Sequence, residues 1–280
     1  MPLTTTGELV TRAQAARTAV AAFNIITLEH VEAVIAGAES AGAPVVLQVS
    51  ENAVAYRRGQ LLPLARAAAV AAERAAVPVA LHLDHVRSDP LLRRAADAGF
   101  SSVMYDASRL PYEENLAATC AAVELAHAQG LWIEAELGEI GGKGAHTPGA
   151  RTDPDEARAF VADSGVDALA VAIGSVHAMT TRTAALDHGL LARLRAALDL
   201  PLVLHGSSGV PDRELTAAVT GGIAKVNIGT ALNQAMTGAI REHLGAHPDA
   251  VDARTYLSAG REAMARTVER IVTGVGLTLA

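Results

Sequence analysis

Three histidines each close a short apolar run: His85 in PVALHLDH, His177 in ALAVAIGSVH and His205 in PLVLHGSSG. Each run has the length and the Val, Leu, Ile and Ala content of a buried parallel strand. If the three strands are neighbours in one barrel, the imidazoles converge at its C-terminal rim. Three neutral imidazoles around an open fourth position suit a catalytic divalent zinc. Polar groups stand beside them: Asp84 directly before His85, and Ser207 and Ser208 after His205. A fourth run, AKVNIGT, carries Asn227 and Thr230. These residue types point to a metal enzyme acting on a small anionic substrate. Asp84, beside a cation, is placed either to anchor an imidazole or to act as a general acid and base.

Strand alternation sets His82 on the face opposite His85, which puts His82 behind the site. Lys225 and Asn227 share one face, so a lysine Schiff base is the competing chemistry at that strand. His30, His127, His188, His243 and His247 fall on helical or loop segments and read as ordinary surface or packing residues. The stretch LHGSSGVPD breaks into Gly and Ser between a strand and a helix, and KVNIGT repeats that arrangement. Backbone N–H groups of such turns, backed by a helix N-terminus, make an anion cradle.

The elements that must position these groups recur at a steady interval. Strand-like runs cover 19–25, 44–50, 78–84, 101–106, 132–137, 168–174, 201–207 and 225–229. Between them lie Ala-rich segments of helical period, among them LEHVEAVIAGAESAG, DPLLRRAADAG and HGLLARLRAALD, several ending in Gly. Eight alternating β/α units predict an α/β TIM (β/α)8 barrel, a single domain over 1–280, with catalytic groups at the C-terminal strand ends. An open doubly wound sheet would carry a Gly-rich phosphate loop after its first strand, and AFNIITLEH has none. Residues after 250 read as a helical extension. The longest irregular stretch, 138–154, holds Lys143, His146 and Arg151 and is expected to be a mobile lid.

Composition narrows the class. Of 280 residues, 50% are hydrophobic and only 3% aromatic, so the core must be built from small aliphatic side chains. The net charge of −7 and the lack of a basic cluster argue against nucleic acid. No apolar stretch nears the ~20 residues of a membrane span. The start MPLTTTGELV has no signal-peptide pattern, so a cytoplasmic protein is expected. The lone Cys120 lies in a helical pattern and reads as a packing residue.

The segments HLDH, SSVMYDAS, EAELGEIGG, AVAIGSVHA, PLVLHGSSGVP and AKVNIGT, in this order over about residues 5–270, resemble the successive motifs of the class II fructose-bisphosphate and tagatose-bisphosphate aldolases. That resemblance implies reversible cleavage of a ketose 1,6-bisphosphate to dihydroxyacetone phosphate and an aldehyde. It implies Zn2+ on His85, His177 and His205, with Glu136 able to hold an alternative metal position, and a monovalent cation, Na+ or K+. Asp84 would be the acid/base, and Asn227 would steady the enediolate. Ser50, Gly206, Ser207, Ser208, Asn227, Ile228, Gly229 and Thr230 would bind substrate. VDARTYLSAG resembles the family's arginine motif, so Arg254 would reach the distal phosphate in a neighbouring subunit of a homodimer or homotetramer.

The chain also departs from the pattern. Lys143 and Gly144 stand where the mobile loop usually carries an acidic pair, which leaves His146 or Glu139 as candidate proton shuttles. Ala178 follows the second ligand in place of the usual Gly, and Gly229 stands where an acidic, Asn or small residue is common. Other substrates stay open: another phosphorylated sugar or a keto-deoxy sugar acid phosphate. So does a non-catalytic, aldolase-like partner subunit.

Overall fold

A computed structural model describes residues 2–138, 151–176 and 179–277. Eight parallel strands follow one another around a closed barrel: β1 Val20–Asn24, β2 Val45–Ser50, β3 Val79–Val86, β4 Ser102–Tyr105, β5 Trp132–Leu137, β6 Ala168–Val171, β7 Leu202–Leu204 and β8 Ile223–Ile228. Closure comes from β8 pairing with β1, with Ala22 opposite Asn227. A two-residue strand, Leu3–Thr4, adds to the start of β3. The expected TIM barrel with a C-terminal helical extension is the observed fold.

Alternation along each strand separates two interiors. Outward residues such as Phe23, Leu47, Leu81, Ile133, Leu169, Leu204 and Val226 pack under the helices in the main apolar cluster. Inward residues change character with height. At the N-terminal end they are Val20, Ala22, Val46, Ala80, Ala168, Ala170 and Val203, with Trp132 between them. The helix Thr6–Ala15, capped by Thr5, pushes Leu9 and Val10 into this layer and shuts the barrel floor. Sequence periodicity did not single this helix out. Higher up, the inward positions become Gln48, His82, Glu134 and Lys225, all fully buried. At the C-terminal rim they become Asn24, Ser50, Asp84, Glu136, His205 and Asn227.

The helices follow their local signals. Pro154–Ser164 starts with the Asp153 cap, whose carboxylate accepts from Asp155 and Glu156 N–H, and Pro154 occupies its first turn. DPLLRRAADAG forms an α-helix only over Asp89–Leu92 and continues to Gly99 mostly in i→i+3 turns. The final helix, Ala253–Val275, packs on Leu28–Ala41 and on Thr230–Ala246. No helix among the described residues is long and apolar enough to cross a membrane.

Candidate active site

A cavity of about 560 Å³ opens at the C-terminal rim. Asn24, Ser50, Asp84, His85, Gly206, Ser208, Asn227, Gly229 and Thr230 line it, together with Ile26, Asn52, Ala53, Tyr56 and Asn233. Five strand ends therefore meet at one place, as the expected rim site requires.

The paired presentation of Asp84 and His85 needs an irregularity. Consecutive strand residues face opposite sides, and Asp84 shares the inward face with His82, not with His85. The register of β3 against β4 shifts between Leu83 and Val86, and His85 adopts φ +50°. That break turns the imidazole back over the barrel mouth. Contrary to the expectation from alternation, His82 does not lie behind the site: it points into the barrel beneath Asp84, and it is His85 that leaves the regular pattern. His82 Nδ1 contacts Ser102 Oγ at 2.7 Å, and Ser102 Oγ donates to Thr6 Oγ1 at 2.6 Å. Burial, helped by the nearby Lys225 charge, drops His82 to about 3, so it is neutral.

His85 and His205 meet edge-to-face with ring centres 5.0 Å apart. Their ligand atoms and a carboxylate oxygen of Glu136 all lie within 4.8 Å of one another. Each imidazole has one nitrogen engaged by a carboxylate. His85 Nδ1 donates to Asp106 Oδ2 at 2.8 Å, and Asp106 Oδ1 accepts from Ser108 N and Oγ. His205 Nε2 stands 2.8 Å from Glu134 Oε1. Nε2 of His85 and Nδ1 of His205 are thus turned toward the shared space, and His205 Nδ1 lies 3.6 Å from Glu136 Oε2. Two imidazole lone pairs and a carboxylate in that space are a donor set that fits a divalent metal. Burial disfavours the His85 imidazolium, but Asp84 and Asp106 outweigh it and push the group up to about 9. A metal at this position must displace that proton. His177 and Ala178 lie outside the described residues. Val176, next to them, passes so close to Gly206 that a Cβ there would sit 2.8 Å from the Val176 carbonyl carbon. Gly206 also holds φ +66°, so both space and conformation call for glycine.

Asp84 is almost fully buried. Burial alone would raise its carboxyl; the adjacent His85 imidazolium, with the buried Lys225 ammonium further off, holds it well below the usual carboxylate range. Asn24 Nδ2 donates to Asp84 Oδ2 at 2.8 Å, and Gln48 Nε2 donates to Asn24 Oδ1 at 3.0 Å. Asn227 Nδ2 lies 3.5 Å from Asp84 Oδ1 and 3.0 Å from His205 Nε2. His205 Nε2 carries a single hydrogen, and it goes to Glu134, the closer and charged acceptor. Asn227 is left to donate toward Asp84 and the cavity.

The glycine turns form the opposite wall. Ser207–Gly209 makes a single 3₁₀ turn after β7, and Gly229 leads into Thr230–Ala246. Ser208 Oγ accepts from Ala231 N at 3.1 Å and ties the two turns together. Gly229 is needed for close approach: a Cβ there would stand 2.9 Å from Asn24 Oδ1. Ser207 is buried, donating to Leu204 O, and lines a smaller cavity of about 150 Å³ behind the turn. Ile228 does not present its side chain to the main cavity; it lies in the outer apolar cluster, so any contact it makes there falls to its main chain. Ser50 Oγ accepts from Ala53 N at 3.2 Å and caps Glu51–Tyr56, leaving its hydroxyl hydrogen for the cavity.

Arg254, expected at a neighbouring subunit's site, and Lys225, the competing Schiff-base lysine, both lie away from this cavity. The Arg254 side chain is 91% exposed, bound to Asp252 at 2.6 Å, and is not among the cavity-lining residues. Lys225 is fully buried against Glu134, sealed from the cavity, which removes it as a Schiff-base lysine. Glu139, Lys143, Gly144 and His146, and with them residues 139–150 of the expected lid, lie outside the described residues. At the loop's return, Thr152 Oγ1 donates to Leu137 O at 2.6 Å and accepts from Ala172 N at 2.8 Å, anchoring the chain to β5.

Periodicity alone passed over Asn24, Gln48, Asn52, Tyr56, Asp106, Glu134 and Asn233. A signal was present for four of them. Asn24, Gln48 and Glu134 are polar residues inside apolar runs, at the same parity as Asp84 or Glu136 in their strands. Asp106 closes the run SSVMYD as Asp84 and His85 close theirs.

The chain matches the family described as fructose-bisphosphate aldolase class-II over residues 4–278. It is similar to the fructose-bisphosphate aldolase of Geobacillus stearothermophilus, 39% identical over 272 residues, covering 96% of this chain and 95% of that protein. The fructose-bisphosphate aldolase of Staphylococcus epidermidis is 37% identical over 273 residues, with 96% of each chain covered. The crystal structure of the YdjI aldolase from Escherichia coli K12 superposes with a TM-score of 0.87 at 34% identity, covering 98% of this chain and 97% of that one.

Proposed function

Because the chain belongs to the class-II fructose-bisphosphate aldolase family, we propose that it is a metal-dependent aldolase that reversibly cleaves a ketose 1,6-bisphosphate, of the fructose or tagatose type, into dihydroxyacetone phosphate and an aldehyde. The observation that carries this reading is the meeting of Asp84, His85 and the glycine-turn cradle at one cavity, with Glu136 and His205 grouped on His85 directly behind it.

The metal in this proposal is zinc, held by His85, His177 and His205, with Glu136 available as an alternative ligand. Bound there, it supplies Lewis-acid polarisation of the ketose carbonyl. The rest falls to the chain's own groups. Asp84, held as a carboxylate and aimed by Asn24, takes the C4 hydroxyl proton in cleavage and returns it in condensation. Asn227 donates to developing negative charge on the triose oxygen. Gly206, Ser207 and Ser208, with the main chain from Asn227 through Ile228 and Gly229 to Thr230, hold the ketose phosphate at the N-terminus of a 17-residue helix. Ser50 donates to the substrate from the facing wall.

Assembly belongs to the same proposal. Thr230–Ala246 buries only Leu232, and Arg254 stands exposed near that helix's far end in sequence. A homodimer or homotetramer would cover this face and carry Arg254 to a neighbour's distal phosphate. A sodium or potassium ion is included as an activator and is read by comparing rates in the two salts. A cytoplasmic location fits the absence of a membrane-length apolar helix among the described residues. Neither nucleic acid nor a membrane is proposed as a partner.

The departure at Lys143 and Gly144 supports a second reading, in which the same chemistry serves another phosphorylated sugar or a keto-deoxy sugar acid phosphate. One experiment separates the readings: condensation of dihydroxyacetone phosphate with a panel of aldehydes, with and without chelator. Chelator-sensitive turnover of glyceraldehyde 3-phosphate is expected. Preference for a different aldehyde selects the second reading, and no turnover with any aldehyde would leave a non-catalytic aldolase-like subunit.

A further inference from the structure

Beneath the ligand layer, β5 and β8 bury a charged pair that substrate cannot reach. Lys225 Nζ donates to Glu134 Oε2 at 2.8 Å, and both side chains are fully buried. Neither lines the cavity. Glu134 spends its second oxygen on His205, whose Nε2 lies 2.8 Å from Oε1.

The direction of each hydrogen follows from what the groups can do. Lys225 is a donor only, so Glu134 Oε2 must accept. An ammonium at that distance keeps Glu134 an anion, and an anionic carboxylate has no hydrogen to give. The hydrogen between Oε1 and Nε2 therefore belongs to His205. That leaves the His205 lone pair on Nδ1, the nitrogen 3.6 Å from Glu136 Oε2. Without such an acceptor the ring would be open to the other tautomer, with its lone pair aimed down into the barrel.

We propose that Glu134, locked by Lys225, is a positioning residue that selects the Nδ1 lone pair of His205 for the metal. A buried ion pair contributes little net stability on average. What this one supplies is orientation, in the manner of carboxylates that fix metal-bound imidazoles from behind. The inference rests on the metal reading above.

The test measures zinc binding, not cleavage. Two double variants remove both buried charges and differ only in whether His205 keeps an acceptor: E134Q/K225M retains a carbonyl oxygen, and E134M/K225M does not. Zinc affinity is read by competition with a chromophoric chelator, the Co2+ absorption spectrum reports ligand geometry, and melting of the metal-free proteins reports folding. The expected order of zinc affinity is parent, then E134Q/K225M, then E134M/K225M, the last about 10–100-fold below the parent. The Co2+ bands of E134M/K225M should shift, and those of E134Q/K225M should stay near the parent's. Equal affinities for the two doubles, each melting cooperatively, would overturn the positioning role while leaving the metal site standing. Failure of the parent itself to bind zinc would overturn both, and would be seen in the same titration.

Discussion

The two ends of the barrel interior are built on the same strands and obey opposite rules. At the floor, Val20, Ala22, Val46, Ala80 and Ala224 close on Leu9 and Val10 beside Trp132, and aliphatic side chains dominate. At the rim, two to four residues further along, Asn24, Asp84, Glu136, His205 and Asn227 crowd polar and charged groups into the same diameter. The floor absorbs its one shift, between Leu202 and Val203 against β8, with the small Ala224; the shift at the rim redirects a functional side chain. His85 sits at φ +50° after a register shift, a backbone state that costs on the order of 1–3 kcal/mol for a residue with a Cβ. The difference teaches which end maintains the fold and which end the fold is spent on. Floor residues should set stability without touching chemistry, and rim residues should do the reverse.

The strongest break comes at the rim. His205→Ala should reduce bound zinc from stoichiometric to background and carry cleavage below detection, with a cooperative melt retained. Metal analysis beside a coupled cleavage assay checks it, and stoichiometric zinc in an active variant would remove His205 from the donor set. Asp84→Ala should act on chemistry alone. It keeps its zinc, still exchanges a C3 proton of dihydroxyacetone phosphate, and loses about 10²–10⁴-fold in carbon–carbon cleavage. Cleavage within twofold of the parent would rule out the acid/base role.

The floor gives the converse result. Leu9→Ala empties a fully buried position under the barrel and should cost about 2–5 kcal/mol in denaturant unfolding, with kcat/KM unchanged. A fall in kcat/KM at equal folded fraction would show that floor and rim are coupled. A smaller effect is expected at Arg254. Arg254→Ala should weaken bisphosphate use while sparing dihydroxyacetone phosphate binding and stability, because among the described residues the guanidinium bonds to Asp252 alone. Full activity in a protein shown by light scattering to be monomeric would end the intersubunit role. Smallest of all, Cys120→Ala should move stability by no more than about 0.5 kcal/mol and leave activity intact. Loss of activity there would assign the thiol a role that its contact with Asp163 O does not suggest.

Much of the architecture was legible beforehand because it rests on local patterns. Apolar runs at even spacing, Ala-rich helical segments and Gly stops are each short-range signals, and eight such runs alternating with helical segments admit few arrangements. Polar residues closing those runs marked Asp84, His205 and Asn227 as rim groups. What periodicity misread was where regularity fails: parity put His82 and His85 on the wrong sides of the argument, since only the paired strand β4 reveals the shift.

The amino-acid sequence by itself determined that parallel strands end in imidazoles, a carboxylate and glycine turns, because strand length, hydrophobic pattern and turn chemistry are encoded within a few residues. Tertiary structure alone decided which nitrogen of each imidazole faces the shared space. That choice is made by Asp106, 21 residues from His85, and by Glu134, 71 residues from His205 and itself fixed by Lys225, 91 residues from Glu134. Hydrogen-bond direction depends on what stands across the barrel, and no spacing along one strand contains it.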